Sequence, residues 1–129
     1  MFTEQQIRGN VERVVEALNT RDWSALDEVM DETFTADYVW HLVGIQDPVR
    51  SPADAEQILR GFMEITPGGW WTLDDVVVAG DKAATRLTAH RNDPETGKPQ
   101  RMTELMFHHL KDGKFAEDWD VVSPWIDEE

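Results

Sequence analysis

The chain has 129 residues, with 26 acidic against 12 basic side chains and a formal net charge of −14. That surplus argues against nucleic acid and anionic membrane surfaces as partners, since both need clustered Lys and Arg; its ordinary consequence is solubility. With no cysteine, neither a disulfide framework nor a thiolate metal site can form.

This length buries one good core without staples, so we expect one domain over residues 1–129. No apolar run approaches the roughly 20 residues of a membrane span, and the first residues lack the basic-then-apolar pattern of a secretion signal. The expectation is a soluble, cytoplasmic protein.

Thr3 followed by Gln6 fits a capping box, and Ile7, Val11, Val14, Val15 and Leu18 recur at helical spacing. This predicts an amphipathic helix over 3–20. A short helix follows over 22–30, with Trp23, Leu26 and Met30 on one side. Residues 34–43 are aromatic and β-branched and read as a strand, and 44–50 as a loop. Ser51-Pro52-Ala53-Asp54 starts a third helix: an N-cap serine, proline at the first position and an acid in the first turn. Ile58, Leu59, Phe62 and Ile65 should give it a buried face before Pro67-Gly68-Gly69 ends it. Strands are then predicted over 70–79, 82–92, 101–111 and 114–122. The last two are joined by Asp112-Gly113, which suits a type I′ turn with positive φ at both residues. Helices first and a strand meander after give an α+β class: a curved antiparallel sheet wrapped over three helices of the N-terminal half, enclosing a pocket.

Side chains two apart on a strand share a face. Arg86, Thr88 and His90 therefore line one side of their strand, and Leu87 and Ala89 the other. Asp118 and Asp120 also share a face, roughly 6.5–7 Å apart. An acid near the end of an apolar strand is costly to bury unless it is paired or used, which makes Asp120 a residue to explain. Trp40 and His41 are neighbours, so only one can face a pocket without a bulge. The pattern of Met106 and Leu110 places His108 with the inward set and His109 outward. No close His-x-His pattern or helical His pair suggests a metal site, so no metal is expected.

Asp37-Tyr-Val-Trp-His41, the Gly80-Asp-Lys-Ala-Ala turn, Arg86, and Lys111-Asp-Gly-Lys-Phe-Ala-Glu-Asp-Trp-Asp120 resemble the nuclear transport factor 2-like superfamily. Within it, they resemble the SnoaL-like, polyketide cyclase-related branch. The resemblance covers nearly the whole chain. It implies a cone-shaped fold with an open-ended apolar pocket, commonly dimeric through the outer face of its sheet, and here a homodimer. It also implies that Arg86 points into the pocket and that an acid at Asp120 works on the ligand. A carboxylate in an apolar pocket has its neutral form favoured, which suits a general acid or base.

Two comparisons within the superfamily fail. Limonene-type epoxide hydrolases use an Arg and an Asp two apart on one strand, where this chain has Arg86 and Thr88. Their water-positioning Tyr and Asn fall on Trp40 and Leu42. Ketosteroid isomerases need a tyrosine in an oxyanion hole, and Tyr38, the only tyrosine, is at a different place in the chain. The reading that remains is a small-molecule enzyme for a hydrophobic ring or polyketide-like ligand. It would use Asp120 as acid or base, with Arg86 and His90 or His108 assisting, to move a proton next to a carbonyl in cyclisation, isomerisation or dehydration. Trp40, His41, Leu42, Phe62, Thr88, Met106, His108 and Asp118 would line the ligand site, and no cofactor is implied. The alternative is a non-catalytic ligand-binding or accessory domain, or one whose interior is filled and which works by dimerising.

Overall fold

The computed structural model describes residues 3–128. Helix α1 (Glu4–Thr20) opens on the expected capping box: Thr3 Oγ1 accepts from the Gln6 amide at 3.2 Å while the Gln6 side chain accepts from the Thr3 amide at 2.8 Å. Helix α2 (Trp23–Thr33) runs three residues beyond the predicted end and passes directly into β1 (Phe34–Leu42). Helix α3 (Pro52–Ile65) is capped by Ser51, which accepts from the Asp54 amide at 3.1 Å. Its buried positions are Ala55, Glu56 and Met63, with Ile58, Leu59 and Phe62 packed beside them. Ile65, expected inside, is 78% exposed: the helix is rolled toward Met63, so its last apolar residue points to water.

The remaining strands are β2 (Val49–Arg50), β3 (Trp70–Ala79), β4 (Lys82–Asn92), β5 (Pro99–Lys111), β6 (Lys114–Val122) and β7 (Ile126–Asp127). They form one curved, unclosed seven-stranded sheet in the order β2-β1-β6-β5-β4-β3, with β7 pairing to β5. The class is α+β, as the pattern predicts. One pairing differs from the expectation of an antiparallel sheet: β1 runs parallel to β6, so the sheet is mixed. The two-residue strands β2 and β7 lie where no strand is predicted, being too short to carry an alternation.

The helices cover one face. Helix α1 packs on β3 and α2, and α3 packs on β1. The α1–β3 contact is held by Asn19, whose side chain exchanges two hydrogen bonds with the backbone of Trp71 (2.9 and 2.7 Å), in the manner of a strand neighbour. Among the described residues no helix is long and apolar enough to cross a membrane.

The β5–β6 hairpin sets which side chains face the helices. Asp112 and Gly113 have φ of 52° and 75°, as a type I′ turn requires. A plain two-residue hairpin would put His108 opposite Glu117. The register instead slips between His109 and Leu110, so that Leu110 pairs with Phe115 but His109 pairs with Glu117. Ala116 is the extra residue of this bulge. Beyond it His108 stands opposite Asp118 and Met106 opposite Asp120, which brings both acids to the helix side. The parity rule makes this testable. Deleting Ala116 alone leaves every cross-strand partner in place, and we expect a folded protein with a cooperative thermal transition by circular dichroism. Deleting Ala116 and Glu117 together would turn Asp118 and Asp120 to the other face and Trp119 inward, and that transition should be lost.

Candidate functional site

Between the helices and the sheet lies a cavity of about 100 Å³. Val11, Val14, Val15 and Leu18 of α1 form one wall, and aromatic and aliphatic side chains of the sheet form most of the other. Its polar lining is short: Tyr38, Thr85, Glu104, His108 and Asp118, with the Trp40 indole beside them. These come from β1, β4, β5 and β6; Tyr38 with Trp40, Thr85 with Leu87, and Glu104 with Met106 and His108 are on the inner face by simple alternation, and Asp118 by the bulge at Ala116.

Asp118 is 2% exposed and receives two donors. The Tyr38 hydroxyl donates to Oδ2 at 2.5 Å, and His108 Nδ1 lies 2.6 Å from Oδ1. With Nδ1–H directed at the carboxylate, His108 Nε2 is left to accept from Thr85 Oγ1 at 2.9 Å. The chain Thr85–His108–Asp118–Tyr38 thus crosses four strands, and every member is nearly or fully buried. Burial, then the Asp118 charge, raises the Tyr38 phenol well above its ordinary range, so it stays a donor.

Asp120 is 1% exposed and is not among the residues lining the cavity. Its Oδ2 accepts from the Trp40 indole at 3.1 Å, but Oδ1 is buried with no conventional donor. The group beside it is the Glu104 carboxyl. Glu104 is half-buried as a residue and lines the cavity. Burial first and the Asp120 charge second raise Glu104 well above the usual carboxylate range. Burial likewise raises Asp120, opposed by hydrogen bonds from Glu104 and Trp40. Neighbouring carboxyls in an apolar setting disfavour each other's ionised form.

Of the side chains expected to form the site, Trp40, Met106, His108 and Asp118 line the cavity. Asp120 and Leu42 are buried on the same face, and Phe62 packs nearby against Trp71 and Trp125. Arg86, Thr88, His90 and His41 are elsewhere. Arg86 is on the outer face, half exposed, with its guanidinium against Asp75 (2.6 and 2.9 Å) and Asp74 (3.5 Å) of β3. Thr88 donates to Asp74 at 2.5 Å. His90 stacks on Trp70 with ring centroids 4.0 Å apart. His41 Nε2 lies 2.6 Å from Glu117 Oε2, and its ring stacks on Trp119. The reason is the same throughout β4: Ala83, Thr85, Leu87 and Ala89 form the face that helices can cover, and an arginine there would bury an unpaired charge. Setting Arg86 and Thr88 against the epoxide hydrolase pair therefore compares the wrong face. Tyr38, Thr85 and Glu104 are the site residues that the sequence reading misses, and period-two alternation from Trp40, Leu87 and Met106 would have found all three. Among the described residues no group of three or more His, Asp or Glu side chains is disposed to hold a metal ion.

Residues 11–118 match the SnoaL-like domain family. The chain belongs to that family. Among solved structures it is similar to IdmH, a candidate polyketide cyclase of Streptomyces antibioticus. Identity is 27%, 92% of each chain is covered and the TM-score is 0.76. TsrD of Streptomyces laurentii superposes equally well, with a TM-score of 0.76 at 22% identity over 95% of this chain and 92% of that one. An LEH-like epoxide hydrolase of M. tuberculosis shares the fold, with a TM-score of 0.67 at 18% identity over 93% and 84% of the two chains. Comparison with curated proteins gives no match.

Two measurements probe this geometry. Tyr38→Phe removes one of the two donors to a buried carboxylate and should cost roughly 1–3 kcal/mol in urea unfolding. The second concerns Glu104, whose folded pKa is raised, so the folded state binds its proton more tightly than the unfolded one. The stability this contributes is full below the unfolded value of about 4.3 and is lost as pH rises toward the folded value. Glu104→Gln has no such loss. Its melting temperature relative to the natural protein should be similar near pH 4 and climb with pH, by up to roughly 1.4 kcal/mol of stability per pH unit.

Proposed function

We propose that this SnoaL-like protein is a small-molecule enzyme that moves a proton next to a carbonyl of a hydrophobic ring or polyketide-like ligand. The resulting reaction would be a cyclisation, isomerisation or dehydration. The observation that carries this reading is the confinement of all the cavity's titratable groups to one region of an otherwise apolar chamber. There a His–carboxylate pair, His108–Asp118, stands next to a second buried acid, Asp120. Pairs of titratable groups in contrasting environments are how one site runs acid and base chemistry at neutral pH. In this scheme His108 Nε2, released from the Thr85 hydroxyl when the ligand enters, takes the proton from the carbon beside the carbonyl. Asp118 and Tyr38 hold the imidazole in its tautomer. Asp120 sets the charge behind the carbonyl. Similarity to the candidate polyketide cyclase IdmH supports the ligand class.

A second reading is supported by the way the polar groups satisfy one another. Tyr38 and His108 both bond Asp118, and Thr85 bonds His108, as in a structural network beneath a binding site with no turnover. On either reading the protein is proposed to pair with a second copy through the outer sheet face. There Leu105, Phe107 and Val121 are 43–49% exposed beside Trp119, His41 and His109.

The deciding experiment uses a panel of cyclic and aryl ketones and polyketide-like aromatics. A thermal-shift screen finds binders, and a ligand at about a hundred times its Kd adds roughly 2.7 kcal/mol. NMR then follows deuterium exchange at the carbon beside the carbonyl. An enzyme should exchange that proton, and Asp120→Asn and His108→Gln should each slow it by about 10²–10⁴-fold while binding persists. Binding without exchange for every ligand on the panel would leave the accessory-domain reading.

A further inference from the structure

We propose that Glu104 and Asp120 hold a single proton between them, and that Glu104, the member facing the cavity, is the acid that gives it to the ligand's carbonyl oxygen. The assignment presupposes the acid/base chemistry proposed above and names its missing half, the proton donor.

Three observations carry it. Glu104 lines the cavity and Asp120 is not among its lining residues, so of the two Glu104 is the one placed to touch a ligand. Asp120 Oδ1 is sealed from water with no conventional donor, a vacancy that a protonated Glu104 fills and that an ionised one would turn into a clash of charges. Finally, β5 places Glu104 two residues from Met106, which pairs with Asp120, and four from His108 on the same face. The acid and the proposed base therefore line the same cavity with Met106 between them, roughly 13 Å apart along the strand. The charged and titratable groups facing Glu104 are Asp118 and Asp120 from β6, Tyr38 from β1 and His108 from its own strand. The helix walls contribute Val11, Val14, Val15 and Leu18 of α1, Met30 of α2, and Ala55 and Leu59 of α3, and among the described residues no lysine or arginine lines the cavity.

The step balances without a co-reactant. Glu104 O–H breaks as the carbonyl oxygen gains that proton. His108 Nε2 gains the proton leaving the adjacent carbon, and the electron pair of that C–H bond becomes the enol double bond. Return of the His108 proton to a different carbon, and of the enol proton to Glu104, gives an isomerised product and the starting enzyme.

The same lining fixes the ligand class. With carboxyls and no cationic side chain around it, the cavity should reject carboxylates, phosphates and sulfonates and accept uncharged carbonyl compounds. At about 100 Å³ it is smaller than the roughly 150 Å³ apolar cavity that takes benzene, so even a one-ring ligand requires the lining side chains to shift.

The test is infrared spectroscopy of the carboxyl C=O stretch in the whole protein at about pH 7, where an ordinary carboxyl near pKa 4 is ionised. The natural protein should show a protonated carboxyl that disappears in Glu104→Gln. The Gln amide can still donate to Asp120 Oδ1, so the fold should survive. The signal should remain in Glu56→Gln, the control for a second acid raised by burial and by Asp27, and should change frequency in Asp120→Asn. If Glu104→Gln did not fold, ¹³C-glutamate labelling of the natural protein replaces it, and the band must move with labelled glutamate and stay fixed with labelled aspartate. No such band, or one that persists in Glu104→Gln or follows labelled aspartate, overturns the proposal whatever the ketone assays give. A band lost in Glu104→Gln while exchange at the ketone carbon keeps its natural rate overturns the acid role, leaving the Asp120 and His108 chemistry intact. Ligand class is read with two probes of matched size: acetophenone should raise the melting temperature and benzoate should not, and the reverse order overturns that part.

Discussion

A buried carboxylate, Asp118, ties the inner face together. A charge removed from water is tolerable only with good partners, and here Tyr38 comes from β1 and His108 from β5, one on each side of β6. Those bonds require that three strands hold their relative heights closely, and Thr85 extends the same requirement to β4. The apolar side chains around the cavity could pack in several ways at similar cost. The polar chain could not, and it is what gives the chamber one arrangement.

Asp118 and Asp120, two residues apart on one strand, are treated differently by their surroundings. Asp118 meets a phenol and an imidazole, both able to donate. Asp120 meets one indole N–H and another acid. The first setting suits a carboxylate that orients a base, and the second favours the neutral form of Asp120, so on the proposed reading a single β-strand carries both halves of an acid–base site. Its chemistry is set by what stands opposite on β1 and β5 rather than by the residue type, which is aspartate in both cases.

Much of this was legible in the sequence. The three helices, the long strands and the Asp112-Gly113 turn follow from caps, periodicity and turn chemistry, and the mixture of elements gives the class. Asp120 stood out because an acid in an apolar strand needs an explanation, and His108 followed from Met106 and Leu110. What failed was the face of β4. The alternation alone offered two faces, one with Arg86, Thr88 and His90 and the other with Leu87 and Ala89, and resemblance chose the polar one for the pocket. The burial cost of arginine argues the other way, and Asp74 and Asp75 of β3 gave it partners outside. The bulge at Ala116 was not visible either: nothing in Phe115-Ala116-Glu117 marks it, and without its extra residue in the count a strict alternation from Phe115 would turn Asp118 outward. Glu104 is reached by alternation from Met106, but its significance appears only when the register pairs Met106 with Asp120 and so brings Asp120 to a diagonal position from it.

The parallel pairing of β1 with β6 has a consequence for how the chain folds. Tyr38 and Trp40 reach their partners Asp118 and Asp120 across 80 residues of sequence, the most remote pairings in the site. Such contacts close large loops and are formed at high entropic cost. During synthesis β1 emerges long before β6 exists, so for most of that time it is an aromatic strand with an open edge, the kind of surface that invites association with other chains. The α1–α2 pair and the β3–β4 and β4–β5 hairpins involve only near neighbours and can form first. The chamber is then closed by β6, the last long strand to be made, and a chain truncated before Asp118 would hold most of the fold's hairpins but neither aspartate of its site.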